Sequence, residues 1–142
     1  MHPRQSLQRL TQGLADLEGL RPPVIRDYVT SMGAWYGYKP WIDFARLGVA
    51  REKLVEALNA ENLEVDIPGS PPLHKLAIFA PDQFRINGFE KHDNRGGTFS
   101  DAETYSAGIL SLPTFTGPDD DVAVTAMIEG FRKVWRHLDE LR

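Results

Sequence analysis

Leu7, Leu10, Leu14, Leu17 and Leu20 recur at spacings of three and four, the period of an apolar stripe on an amphipathic helix. Arg21-Pro22-Pro23 ends that helix, because proline lacks the amide donor and restricts the residue before it. Residues 28–39, YVTSMGAWYGYK, then alternate aromatic, small and β-branched types, which predicts a strand ending at Pro40. Residues 50–61 form the clearest helix, with Leu54, Val55 and Leu58 inward and Arg51, Glu52, Lys53 and Glu56 outward. Asn62 follows in a position that suits a left-handed helix end, which asparagine tolerates. Leu63, Val65 and Ile67 alternate as a short strand, broken by Pro68-Gly69-Ser70-Pro71-Pro72.

The stretch 68–100 reads mostly as loop, with a short helix or turn near Leu73–Phe79 and turn chemistry in HDNRGG at 92–97. A loop of that length in a compact domain is usually functional or mobile. Asp101 suits the start of a helix running to about Leu110, and LPTF at 112–115 is a brief extended piece. Asp119–Asp121 open the last helix, where acidic side chains favour the positive end of the dipole. Met127, Phe131, Val134, Trp135, Leu138 and Leu141 form its apolar side. The order is helix, strand, helix, strand, long loop, helix, helix. It predicts one α+β domain over residues 1–142, with a small antiparallel sheet covered by helices.

Composition narrows the function classes. The 142 residues suit one domain with its own core. A net charge of -4 without a basic run points away from nucleic acid. The N-terminus MHPRQSLQRL has no apolar h-region, and the apolar runs are too short to span a membrane, so the expected location is cytoplasmic. With no cysteine there is no disulfide framework, thiolate metal site or cysteine nucleophile.

Few residues announce chemistry. There is no G-x-S-x-G elbow and no phosphate-binding glycine loop; Gly96-Gly97 reads as a turn. His2, His74, His92 and His137 do not pair at metal-ligand spacing, so no metal site is expected. Asp119–Asp121 lack the calcium-loop pattern and read as a helix start. Trp35, Tyr36, Tyr38 and Trp41 suit core or interface packing, or the wall of a pocket for a polar ring. His74 and Lys75 follow a proline-rich turn in P-P-L-H-K. A histidine there can reach a substrate hydroxyl, or be structural, or face solvent. A Schiff-base lysine needs a desolvated or cation-adjacent pocket. Lys53 and Lys133 lie on wet helix faces, and nothing around Lys39, Lys75 or Lys91 announces such a pocket.

Several stretches together resemble the C-terminal part of the DegT/DnrJ/EryC1/StrS aminotransferases. They are GLRPPV at 19–24, WYGYK at 35–39, REKLVEALNAENLEVDIPGSPPLHKLAIF at 51–79, LSLPTFTG at 110–117 and DDDVAVTAMIEGFRKVW at 119–135. No single piece is specific, but their order and spacing cover nearly the whole chain. The scyllo-inosose and aminocyclitol branch is the nearest in flavour. Asn62 stands where the family would lead one to expect glycine.

The resemblance implies the small C-terminal domain of a fold-type I enzyme that uses pyridoxal phosphate (PLP) to aminate keto-sugars or keto-cyclitols. In that family the PLP lysine, the acidic partner of the pyridine nitrogen and the phosphate-binding residues lie in the large N-terminal domain. The chain is expected to begin after that domain, partway along an interdomain helix, and to carry no catalytic lysine and no cofactor-binding residue. PLP would be held by a large-domain partner subunit, in a heteromer such as a dimer of heterodimers. By resemblance, Tyr36, His74 and Lys75 line the cleft for a sugar-like small molecule. The competing expectation is a non-catalytic binding or regulatory module that docks onto a full-length aminotransferase.

Overall fold

A computed structural model of the chain describes residues 3–29, 37–76, 99–115, 117 and 120–142. Two compact units divide the chain, Met1–Pro68 with Gly108–Arg142, and Gly69–Ala107.

The first unit is built on helix α1, Pro3–Leu14. It ends earlier than the leucine stripe suggests. Two successive turns, Leu17 N–H to Leu14 O and Leu20 N–H to Leu17 O, carry the chain onward at three-residue spacing. Leu17 therefore still packs on the core and Leu20 is buried, although neither is in the helix. Gly19, at φ 71°, then turns the chain into strand β1, Leu20–Arg21. β1 pairs antiparallel with β2, Trp41–Ile42.

Of the strand expected over 28–39, residues 28, 29 and 37–39 are described. Tyr28 and Val29 sit in a turn closed by Val29 N–H to Arg26 O, and Tyr28 is exposed. Residues 30–36 lie outside the described residues. Among the described residues Tyr38 bridges Leu112, and the pairing runs past Pro40 to β2. Pro40 does not end it, because its carbonyl still accepts from Leu110 N–H at 3.0 Å. Two more antiparallel bridges, Trp41 to Ile109 and Asp66 to Ser111, complete this small pairing region. The chain is thus α+β, with a two-stranded antiparallel sheet among helices in the described residues.

A one-turn helix, α2 (Phe44–Leu47), is capped by Asp43, whose carboxylate accepts from Arg46 N–H. Helix α3, Arg51–Ala60, buries Leu54 and Leu58 as the periodicity predicts. Asn62 follows at φ 59°, the left-handed conformation expected of it. The Asn59 side chain then accepts from Val65 N–H and donates to Val65 O, both at 2.9 Å. It supplies the pairing that a neighbouring strand would give. Leu63 and Val65 are buried beside it, so the expected short strand survives as the single Asp66 bridge.

Helix α4 covers Ser100–Gly108 in sequence, and Glu103 N–H bonds to Phe99 O at its start. It stops short of Leu110 because Ile109–Leu112 is drawn into the bridges. Helix α5, Asp120–Arg136, begins with Asp120 accepting from Gly117 N–H. It buries Val124, Met127, Phe131 and Val134, with Trp135, Leu138 and Leu141 packed against the same core. α5 lies along α1, where Gly13 lets Ile128 approach the helix backbone. Arg9 with Asp121 also ties α5 to α1, and Arg132 with Asp16 and the Trp135 indole N–H on Glu18 O tie α5 to the turns that follow α1.

Tyr38 is fully buried in this unit, its hydroxyl 2.9 Å from that of Thr11. Burial pushes its phenol up to about 12, against a smaller opposing effect of the Thr11 hydrogen bond. The folded state therefore holds a proton that the unfolded chain releases near its ordinary value. Stability is retained below about pH 10 and falls as pH rises toward 12, by about 2 kcal/mol. Urea unfolding at pH 9 and pH 11.5 should show this loss. The Tyr38→Phe variant should lose measurably less over the same interval.

Candidate functional site

The described site residues come from the second unit. Pro71 and Pro72 lead into a 3-10 turn, Leu73–Lys75, with Pro72 as its N-cap. Lys75 N–H bonds to Pro72 O at 2.8 Å and Leu76 N–H to Leu73 O at 3.0 Å. The turn sends Leu73 outward, 71% exposed, and His74 inward. The His74 side chain is only 10% exposed, which removes the solvent-facing reading.

Two groups around α4 receive it. The Phe99 ring lies 4.7 Å from the imidazole, tilted by 34°. The Glu103 carboxylate meets His74 Nε2 through Oε1 at 3.1 Å and Lys75 Nζ through Oε2 at 3.3 Å. One carboxylate thus engages both neighbouring residues of the turn, one with each oxygen. The hydrogen bonds from His74 and then Lys75 hold Glu103 below the usual carboxylate range. Glu103 is therefore ionised at neutral pH. The contribution of this arrangement to stability is present there and is lost as pH falls through the lowered value.

The structure brings His74 and Lys75 together, as adjacent residues of one turn. Tyr36 lies outside the described residues, as do His92 and Lys91. Glu103 and Phe99 were not legible as site residues. Their only sequence signal is an acidic first turn on a weakly patterned helix, which reads as a solvated face. Among the other aromatics, Tyr38 is core and Trp41 carries the Arg21 guanidinium 4.9 Å from its ring centre. Both serve packing in the first unit.

That unit also has an apolar groove of about 470 Å3 between α1 and residues 22–25, lined by Leu7, Thr11, Ala15, Pro23 and Ile25 among others. None of the described candidate residues lines it. Among the described residues no group of three or more His, Asp or Glu gathers to hold a metal. No described helix is long and apolar enough to cross a membrane.

A PLP-binding lysine must be desolvated or set beside another cation. Lys75 and Lys133 do not fit, since each lies against a carboxylate with about half its side chain exposed. Lys53 reaches Leu141 O from an exposed helix face.

No family model and no curated protein matches the sequence. Solved structures do match its fold. The aminotransferase TlmJ from Streptoalloteichus hindustanus superposes with a TM-score of 0.67 and 22% identity, over 96% of this chain and 32% of that one. A DegT DnrJ EryC1 StrS aminotransferase from Brucella abortus gives 0.57 and 22%, over 91% and 30%. DesV from S. venezuelae gives 0.55 and 19%, over 90% and 30%. Nearly the whole of this chain thus has the fold of a small domain, about a third of the length, of aminotransferases of the DegT/DnrJ/EryC1/StrS type.

Proposed function

We propose that this chain completes the substrate cleft of a PLP-dependent aminotransferase acting on a keto-sugar or keto-cyclitol. The observation that carries the proposal is the paired coverage: nearly all of this chain against about a third of each aminotransferase. A large-domain partner subunit supplies PLP, the lysine that holds it and the phosphate-binding groups. The cofactor supplies the electron sink for amino-group transfer. This chain's part is to bind and orient the sugar-like substrate and to exclude water. His74 and Lys75 carry that part as hydrogen-bonding groups at the cleft wall, with Tyr36 as a third.

The test is reconstitution. The chain alone should bind no PLP and turn nothing over. Mixed with a large-domain partner and PLP, it should form a stable complex that aminates the keto substrate. In that complex His74→Ala should lower kcat/KM by about 10- to 100-fold, the cost of one lost substrate hydrogen bond in a desolvated site. A complex that forms but is equally active without this chain would point to the regulatory module. A borohydride-trapped PLP adduct on this chain alone would overturn the assignment of PLP to the partner.

A further inference from the structure

His74 and Lys75 are adjacent in sequence and converge on one acceptor, so what holds them matters as much as what they touch. Glu103 is the group that does so, 29 residues along the chain. We infer that Glu103 is a positioning residue, which fixes His74 as the Nε2–H tautomer and pins the Lys75 ammonium beside it. This rests on the proposed cleft role of His74 and Lys75 only for its consequence, not for its geometry.

The argument is one of donors and acceptors. An ionised carboxylate only accepts, so the 3.1 Å contact requires His74 Nε2 to carry the hydrogen. In the neutral ring the other nitrogen, Nδ1, is then an acceptor. The ring cannot exchange these roles by flipping without giving up the Glu103 bond. Phe99 covers one side of the imidazole at 4.7 Å and resists its rotation. Lys75 donates to the other carboxylate oxygen at 3.3 Å, which keeps the carboxylate turned toward the turn.

The arrangement therefore leaves Nδ1 as the acceptor of the His74 ring, on the side away from Glu103, while the Lys75 ammonium stays on the Glu103 side. A ligand reaching His74 would donate a hydrogen, such as that of a hydroxyl group, to Nδ1.

The test reads the tautomer directly and needs no ligand. Long-range 1H–15N spectra of the full chain at about pH 8.5, some two units above the ordinary imidazole value, report which nitrogen of each histidine is protonated. His74 should show a single Nε2–H form, with an exchange-protected proton at low field. In Glu103→Gln the carboxamide can donate as well as accept, so protection should fall at least tenfold. Glu103→Asp, which keeps the charge, should restore part of it. A proton on Nδ1, or equal protection in the wild type and Glu103→Gln, would overturn the inference. A protected Nε2 proton together with a reconstituted enzyme indifferent to His74→Ala upholds this arrangement and sinks only its proposed role in the cleft.

Discussion

Phe131→Ala is expected to cost about 3–5 kcal/mol, a large share of the stability of a domain this size. The ring is fully buried and stacks on Trp135 at 5.7 Å, so truncation removes apolar area and leaves a cavity. The surroundings are poor at closing it. Phe131 follows Gly130, whose hydrogen side already lies against Leu63; Arg132 donates to Gly13 O in α1 and to Asp16, and the Trp135 indole to Glu18 O in the turns after α1. Val122→Ala, one of the exposed positions on the same helix, should change stability by about 0.5 kcal/mol or less. Urea unfolding followed by tryptophan fluorescence would separate the two. A cost under about 1.5 kcal/mol for Phe131→Ala would contradict the packing described here.

Gly108→Ala should also be severe, for the opposite reason. A Cβ there would fall on the Trp41 indole and 2.6 Å from the Ile42 carbonyl oxygen. The indole could swing, but the carbonyl belongs to β2 and is held in the sheet. Relief requires moving backbone, for which overpacking costs of about 1–3 kcal/mol are typical. Gly69→Ala is the control. Nothing lies within 4 Å of its added carbon, and its effect should be near zero. A thermal shift of several degrees for Gly108→Ala and none for Gly69→Ala is the expected result. Equal shifts would mean that the approach of Trp41 and Ile42 to Gly108 is not obligatory.

Legibility in the sequence followed the range of the physics involved. α3, its left-handed end at Asn62, and the buried side of α5 were all visible, because each depends on residues within one or two turns. β2 was missed because its case is tertiary. Pro40 looks like a terminator until Leu110 supplies a donor for its carbonyl from 70 positions away. The leucine stripe ran past the helix because turns of three residues preserve its spacing. At the site, His74 and Lys75 stood out through the odd turn that carries them. Glu103 did not, since an acidic residue on a wet helix face has no local mark of its distant partner.

The interleaving of the two units bears on how the chain acquires its structure in time. The first unit joins Met1–Pro68 to Gly108–Arg142, and its central helix pair brings residues more than 110 positions apart into contact. Loop closure over that span must precede the reward of packing, which slows folding. During synthesis α1 lacks its α5 partner until α5 leaves the ribosome. Gly69–Ala107 is contiguous and is free to organise first. The side of α1 that meets α5 thus stays uncovered by it until late in elongation, and a chaperone that shields apolar helices should raise the yield of folded chain more than one that catalyses local steps.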